Sequence, residues 1–265
     1  TSNFIFSKMA EEGLSFETAL SLAQKEGFAE PDPTFDISGQ DAAQKTCILA
    51  TLSFFKHAVI ENVHYEGIDN ISTQDIDYGK QLQLVLKPLS IGMSKNNKFT
   101  LGSFPAFVKE KSLLASIQNE SNAVLMNTES TGGTMYAGPG AGAKPTSNSV
   151  LTDIIDIARG KIFDYQEFVK TSLDASFEDF SCGHYLRMEV SDEAGVIAKI
   201  STVMAENGLS IDNLIQKELD KKEDVIPLVI VTSNSEEKVI QKVISDLREL
   251  SEVKNSISHL RILDI

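Results

Sequence analysis

The sequence predicts an α+β protein in which helices pack on a mostly antiparallel sheet, followed by a smaller βαββαβ unit. Apolar residues recur at helical spacing through most of residues 3–57, and they alternate at strand spacing in segments between residues 81 and 136. After residue 183, strand and helix patterns follow in the order βαββαβ, which is typical of a ferredoxin-like arrangement. The chain has 265 residues, which suggests one large or two smaller domains.

The composition argues against several classes of protein. The formal net charge of −14 disfavours nucleic acid or an anionic membrane surface as a partner. No apolar run reaches about 18 residues, so no transmembrane helix is expected. Cys47 and Cys182 are the only cysteines, which disfavours a disulfide framework and favours a reducing compartment, the cytoplasm.

The first segment is predicted to be mainly helical. Ser15 opens a stretch of helically spaced apolar residues that Gly27 ends. The Glu-Pro-Asp-Pro segment at residues 30–33 interrupts the pattern, because a residue before proline is pushed towards extended conformations. Ser38 and Asp41 resemble a capping box, which predicts a helix running to about residue 55.

Strand patterns dominate the next part of the chain. Strands are predicted at residues 81–93, 98–107 and 122–126, with a hairpin turn at the Thr-Gly-Gly-Thr segment 131–134. A helix with one apolar side is predicted at residues 145–159. Periodicity is weak over residues 161–182, which are predicted to link a first domain at residues 1–160 to a second at residues 183–265.

The second domain carries the βαββαβ pattern. Its predicted strands are residues 184–190, 210–217, 225–231 and 258–263, and its predicted helices are residues 195–207 and 235–250. Gly208 stands where a glycine commonly ends a helix. The charged run at residues 220–224 is expected to form a solvated hairpin loop.

Asp41 and Lys45 are the first candidate chemical pair. They are four residues apart on a predicted helix and therefore share a face, which Ile48, Leu49 and Leu52 continue. A partly desolvated lysine beside a carboxylate is suited to proton transfer. From spacing alone, an exposed salt bridge is the more frequent explanation of such a pair.

Two further carboxylates, Glu30 and Asp36, lie in the loop that leads into this helix. Together with Asp41 they could converge near Lys45, and such a group suits recognition of a small molecule that carries an ammonium. An acidic surface loop containing prolines is the alternative explanation.

Glycines at positions 138, 140 and 142 follow a predicted strand and precede a predicted helix. They lack the spacing of a dinucleotide-binding loop and the βαβ context, so a phosphate loop is poorly supported. A turn that covers a flat ring, such as a nicotinamide, fits better. The cysteines and the four scattered histidines show no metal-ligand spacing, and no metal site is predicted.

Residues 1–159 resemble the catalytic region of homoserine dehydrogenase. The Glu-Pro-Asp-Pro segment followed by Asp-x-x-x-Lys is the most specific part of this resemblance. The stretches that carry it are Thr-Ser-Asn-Phe-Ile at 1–5, Gly-Phe-Ala-Glu-Pro-Asp-Pro at 27–33, Asp-Ala-Ala-Gln-Lys at 41–45, Glu-Gly-Ile at 66–68, and residues 136–146.

This resemblance implies an activity and a role for individual residues. The family reduces L-aspartate 4-semialdehyde to L-homoserine with NADH or NADPH, on the route to threonine and methionine. The resemblance implies that Lys45 is the catalytic acid/base. The residues implied in substrate binding are Glu30, Asp36, Asp41 and Thr1, and those implied at the nicotinamide end of the cofactor are Gly140, Ala141 and Gly142.

Residues 184–216 resemble an ACT domain, a small amino-acid-sensing module. The signature is Leu-Arg-Met-Glu-Val at 186–190 followed by Asp-Glu-Ala-Gly-Val-Ile at 192–197. The resemblance implies threonine or another amino acid as a ligand. Two positions depart from the usual patterns: Phe28 stands where the dehydrogenase family usually has tyrosine, and Ala194 replaces the proline common before the ACT glycine.

We therefore expect the chain to be the C-terminal portion of a monofunctional homoserine dehydrogenase. The family's dinucleotide-binding domain, with most of its monovalent-cation site, would precede residue 1, so the fragment alone is expected to be inactive. The family also suggests a homodimer or homotetramer, with one sheet face at the interface. A non-catalytic amino-acid-sensing and oligomerisation module is the alternative, and a fusion with aspartokinase is less favoured.

Overall fold

A computed structural model describes residues 1–140, 142–161, 169, 171–216 and 225–265. Its first segment is mainly helical, as predicted, and contains α1 (Ser2–Glu12), α2 (Phe16–Lys25), α3 (Thr34–Ile37) and α4 (Gln40–Phe54). Ser15 caps α2 as predicted, because its hydroxyl accepts a hydrogen bond from the Thr18 amide at 3.3 Å. In α1, Ile5, Phe6 and Met9 enter the main core.

The predicted capping box at Ser38 and Asp41 is wrong. The N-cap of α4 is Gly39, whose φ is +82°, and no side chain caps the helix. The reason is close packing against the segment that follows β1: a Cβ on Gly39 would lie 2.4 Å from the carbonyl oxygen of Glu66. Only glycine can adopt this backbone conformation and also allow so close an approach of the two segments. The N-terminus of α4 therefore packs against Glu66.

Two long strands form the centre of the sheet in the first domain. They are β2 (Leu84–Lys95) and β3 (Lys98–Lys109), which pair antiparallel along their full lengths. Asn96 and Asn97 connect them with φ values of +51° and +60°, as a tight hairpin turn of the primed type requires. The short strand β1 (His64–Tyr65) pairs parallel with β3. Helix α5 (Thr73–Gln81) precedes β2 and is capped by Ser72 and Asp75.

A hairpin and a helix complete this part of the chain. Strands β4 (Ser121–Thr128) and β5 (Gly132–Pro139) form a separate two-stranded sheet, and α6 (Ala143–Ala158) follows. The base of the hairpin is anchored by Asn3, whose side-chain amide donates to three carbonyls between residues 117 and 121. Helix α6 buries none of its side chains within the described chain.

The second domain has the predicted ferredoxin-like arrangement. Its elements are β6 (Ser181–Ser191), α7 (Val196–Glu206), β7 (Ile211–Gln216), β8 (Val225–Glu236), α8 (Glu237–Arg248) and β9 (Ser258–Leu263). The strand order is β7-β8-β6-β9. Apolar side chains of β6 and β8 pack with those of α7 and α8 in a second core. The predicted charged loop at residues 220–224 lies outside the described residues.

One sheet runs through both domains. Strand β9 pairs antiparallel with β6 and parallel with β3, in register from Ala106↔Arg261 to Val108↔Leu263. The other described strand pairs of this sheet are antiparallel, except for β1 with β3. The prediction of a mostly antiparallel sheet is therefore confirmed. Of the predicted linker, residues 162–168 and 170 lie outside the described residues. No described helix is long and apolar enough to cross a membrane.

Candidate active site

The side chains of Lys45 and Asp41 meet on the surface of α4. Lys45 Nζ lies 2.5 Å from Asp41 Oδ2, so the predicted pair on one helix face is present. The Lys45 side chain is 69% exposed and that of Asp41 is 30% exposed. The expected partial desolvation of Lys45 is therefore not found in this chain. The reason is that the neighbouring apolar side chains of Ile48, Leu49 and Leu52 are themselves exposed and have no cover.

Asp36 and Thr1 lie close to this pair. The main-chain nitrogen of Thr1 lies within electrostatic range of Asp36, Asp41 and Lys45. The Thr1 hydroxyl donates a hydrogen bond to the carbonyl oxygen of Phe28, which ties the start of α1 to the loop after α2. Lys45, Asp41, Asp36 and Thr1 come from three separate segments and interact electrostatically, and we call this group the Lys45 patch.

Glu30 lies in that loop, with its side chain exposed. Its carbonyl oxygen accepts a hydrogen bond from the Gln24 side chain at 3.1 Å. Further along, Asp32 Oδ1 accepts from the amide and hydroxyl of Thr34, which orders the turn into α3. No ion pair or hydrogen bond joins the Glu30 carboxylate to Lys45 within the described ranges.

The glycine-rich turn opens α6. Gly142 is the N-cap of this helix, with a φ of +110°, and a Cβ there would meet only Pro145 within 4 Å. At Gly140, a Cβ would collide with the side chain of Asn122. Ala141 lies outside the described residues. Within the described part of the chain, no hydrogen bond joins Gly140 or Gly142 to the Lys45 patch.

A buried ionic cluster, which no pattern in the sequence predicts, lies between the two domains. Arg261 on β9 is completely buried, and its Nη2 lies 2.8 Å from Glu66 Oε1 and 2.6 Å from Glu237 Oε1. The guanidinium also lies over the rings of Phe104 and Phe177, at 4.4 and 5.1 Å from their centroids. Residues from β3, β9, α8 and the segment after β1 therefore converge on one arginine.

Protonation states in this cluster follow from its geometry. Burial opposes ionisation of Glu66, but hydrogen bonds from His64 and Arg261 lower its pKa to about 2. On β6, burial lowers the pKa of His184 to about 4. His184 Nδ1 lies 3.1 Å from Nε2 of His259, whose pKa is also lowered, mainly by burial. At neutral pH both of these imidazoles are therefore neutral.

Glu66 connects this cluster to the helix that carries Lys45. Its amide donates to the Ser103 carbonyl at 2.9 Å, and its own carbonyl packs against Gly39 at the start of α4. Two residues later, the Ile68 amide donates to the Ile37 carbonyl at 2.9 Å. In the sequence, only the Glu-Gly-Ile stretch at 66–68 pointed to this connection, as part of the family resemblance. No pattern in the sequence pointed to Arg261.

A second ionic contact joins α5 to β6. Arg187 Nε lies 2.7 Å from Oδ1 of Asp75, and Nη2 lies 3.1 Å from Oδ2. Asp75 is fully buried, and it also accepts hydrogen bonds from Tyr185 and Ser258. Burial opposes the ionised carboxylate, but the bonds from Arg187 lower the pKa of Asp75. The two domains are thus joined by paired charges on both faces of β9.

Two sequence profiles of known protein families match separate parts of the chain. A sequence profile described as homoserine dehydrogenase matches residues 1–155, and one described as ACT domain matches residues 184–252. The homoserine dehydrogenases of Pseudomonas aeruginosa and Bacillus subtilis are 32% and 34% identical to the chain. Each comparison covers 99% of this chain but only 63% and 62% of the respective relative.

Solved structures show the same relationship. A crystal structure of a homoserine dehydrogenase from Thiobacillus denitrificans matches 99% of this chain and 62% of its own, with a TM-score of 0.90 and 31% identity. A Staphylococcus aureus homoserine dehydrogenase matches with a TM-score of 0.72 and 27% identity, over 100% of this chain and 63% of its own. The chain therefore spans less than two thirds of the length of these relatives. The family profile covers more than half of the chain, and the chain belongs to the homoserine dehydrogenase family.

Proposed function

We propose that the whole protein reduces L-aspartate 4-semialdehyde to L-homoserine with NAD(P)H, and that this chain supplies the substrate-binding patch and the acid/base. The observation that carries the proposal is the Lys45–Asp41 contact beside Asp36 and Thr1. Family membership and the names of the relatives support the reaction.

The charges in the patch suit both ends of this substrate. Reduction of an aldehyde builds negative charge on its oxygen, and an ammonium at that oxygen stabilises the charge and supplies the proton. The exposure of the Lys45 side chain to an incoming ligand supports this role. The substrate also carries an α-ammonium, which Asp41, Asp36 and the exposed Glu30 would hold by charge-assisted hydrogen bonds.

The cofactor would supply the hydride when bound. Gly142 would lie at its nicotinamide end, since a glycine without a Cβ allows a close approach of the backbone to a flat ring. The main-chain amides at the start of α6 carry no side-chain cap, which leaves this helix end available to polar groups. Most of the cofactor would be bound by the part of the relatives that this chain does not span, so we propose that residues 1–265 alone are inactive.

The proposal extends to the pathway, the regulatory ligand, the assembly and the location of the protein. The product would enter threonine and methionine biosynthesis, and the ACT domain would bind threonine or another amino acid. Exposed apolar side chains along α6 support assembly into a homodimer or homotetramer. Cys47 and Cys182 are free thiols, which supports a cytoplasmic location.

Steady-state kinetics of the whole protein test the proposal. Wild-type protein should oxidise NADPH or NADH only when the semialdehyde is present, and residues 1–265 alone should not. Turnover by residues 1–265 alone would contradict the proposal that most of the cofactor is bound by another part of the protein. No semialdehyde-dependent oxidation by the whole protein would instead favour a sensing and oligomerisation module without catalysis.

A further inference from the structure

Lys87 on β2 is a buried lysine with which no acid among the described residues forms an ion pair. Only 6% of the residue is exposed. Its ammonium donates to the carbonyl oxygen of Ile117, and to Oδ1 of Asn3 at 3.3 Å. Burial lowers the pKa of Lys87 to about 8, so the side chain is still mostly charged at pH 7. Because a buried ammonium is costly without acceptors, Lys87 and its two acceptors hold one another in place.

Asn3, in the first turn of α1, extends this contact to the chain that precedes β4. Its side-chain amide donates to three main-chain carbonyls within residues 117–121, at 3.0–3.2 Å. The amide of Asn119 in turn donates to the hydroxyl of Ser7, one turn further along α1, at 2.9 Å. The start of α1 therefore holds residues 117–121, and Lys87 holds the oxygen of the same Asn3 side chain. We call Asn3, Ser7 and Lys87 the hairpin anchor.

The hairpin anchor lies at the base of the hairpin that leads into the glycine-rich turn. Among the described strands, β4 and β5 pair only with each other, so no sheet hydrogen bond joins the hairpin to the main sheet. The base is Ser121, which the anchor holds and which pairs with Pro139 at the end of β5. The next residue, Asn122, fills the space beside Gly140 with its side chain. The position of the turn therefore depends on Ser121.

Helix α1 also begins at the Lys45 patch. Thr1 is the N-cap of this helix, and its main-chain nitrogen interacts with the charges of the patch. Asn3 follows two residues later, so one turn of α1 connects the patch with the base of the hairpin. The hairpin anchor is thus an indirect structural connection between the patch and the glycine-rich turn.

We propose that Asn3 and Lys87 are positioning residues, which hold the glycine-rich turn at a fixed place relative to the Lys45 patch. Neither would touch the substrate or the cofactor. The inference rests on the proposed function, in which the nicotinamide end of the cofactor lies at Gly142. Reacting atoms must approach to about 3–3.5 Å, and a misplacement of about 1 Å can cost about 100-fold in rate. A turn released from the anchor would therefore slow the reaction without weakening substrate binding at the patch.

Hydrogen–deuterium exchange of the whole protein without ligands tests the anchoring. Lys87→Met removes the ammonium at similar side-chain length, whereas Asn3→Asp keeps an oxygen for Lys87 but removes both N–H donors. In each variant, exchange within β4 and β5 should be about tenfold faster or more, while exchange within β3 should change less than about twofold. Lys95→Met, at the exposed end of β2, is the matched control and should leave both unchanged. Unchanged exchange of the hairpin in both variants, or equally faster exchange in β3, would overturn the proposal.

Steady-state kinetics of the same proteins test the positioning. In both variants kcat for semialdehyde reduction should fall about tenfold or more, while KM for the semialdehyde stays within about threefold. Titration with NADPH or NADH, followed by cofactor fluorescence, should give a Kd within about threefold of the wild type, because most of the cofactor would be bound elsewhere. Wild-type kcat in both variants would overturn the proposal. A wild-type protein without turnover would instead contradict the proposed function, whereas hydrogen exchange reports on the anchor without turnover, so the two failures are distinguishable.

Discussion

Arg261, on the last strand of the ACT domain, and Glu66, in the segment against which α4 starts, form an ion pair of 2.8 Å. The arginine is fully buried, and Glu237 of α8 shares it. The ACT domain is therefore not merely attached to the first domain by a linker. Its final strand extends the central sheet and contributes the cation around which both domains pack.

We predict that Arg261→Met destabilises the chain by about 3–5 kcal/mol. The substitution leaves Glu66 and Glu237 without their buried partner, and an uncompensated buried charge is costly. Urea denaturation at pH 7 measures the change in the free energy of unfolding. Lys238→Met is the matched control, because its ion pairs with Asp179 and Glu236 are exposed. Equal, small effects of both substitutions would refute a structural role for the buried pair.

Stability should fall as the pH drops from about 6.5 to about 4. In this window the unfolded chain binds protons at His184 and His259 that the folded chain does not, since burial lowers both pKa values. Each histidine then contributes up to about 1.4 kcal/mol per pH unit. Urea midpoints across this range measure the slope. His184→Gln should flatten it. An unchanged slope in His184→Gln would contradict the assignment.

Gly39→Ala should be more destabilising than Gly27→Ala. Both positions have a left-handed backbone, with φ of +82° and +78°, so each substitution costs about 1–2 kcal/mol of backbone strain. At Gly39 alone, the new Cβ would also meet the Glu66 carbonyl oxygen at 2.4 Å. This clash adds about 1–3 kcal/mol. Thermal and urea unfolding of the two variants compare them directly, and equal losses would show that the close approach is absent.

Asp41→Asn should lower kcat/KM for the semialdehyde about tenfold or more in the whole protein. The substitution removes a charged acceptor for the substrate ammonium, and such hydrogen bonds contribute about 1.5–3 kcal/mol. Asp77→Asn is the control, because Asp77 lies exposed on α5. Initial rates at varied semialdehyde concentration measure both. Unchanged kinetics in Asp41→Asn would argue that Asp41 forms only a surface salt bridge with Lys45.

Local patterns predicted most elements of the fold. Alternating apolar residues identified β2, β3 and β9, and helical spacing identified α2, α4 and α6. The capping box at Ser38 failed because a distant carbonyl, that of Glu66, determines the backbone at Gly39. The parallel pairing of β9 with β3 could not be predicted, since it joins segments more than 150 residues apart in the sequence.

The candidate site was predictable only where its residues are close in sequence. The four-residue spacing of Asp41 and Lys45 was sufficient to predict their contact. The role expected for Thr1 came from family resemblance alone, whereas the positions of Glu30 and Asp36 before α4 also suggested recognition of an ammonium. In the sequence, Arg261 is a single charged residue in an otherwise strand-like segment. Its partners Glu66 and Glu237 come from distant parts of the chain, so no local pattern predicts the ion pairs.

Turnover of the Lys45→Ala variant of the whole protein tests the proposed acid/base most directly. Because general acid catalysis typically contributes about 10²–10⁴-fold, kcat for semialdehyde reduction should fall by at least about 100-fold. Cofactor binding and the urea midpoint should stay unchanged, since the Lys45 side chain is exposed and bonds only to Asp41 among the described residues. Lys25→Ala, at the exposed end of α2, should retain wild-type rates. A Lys45→Ala protein that turns over within a few-fold of the wild type would contradict the assignment.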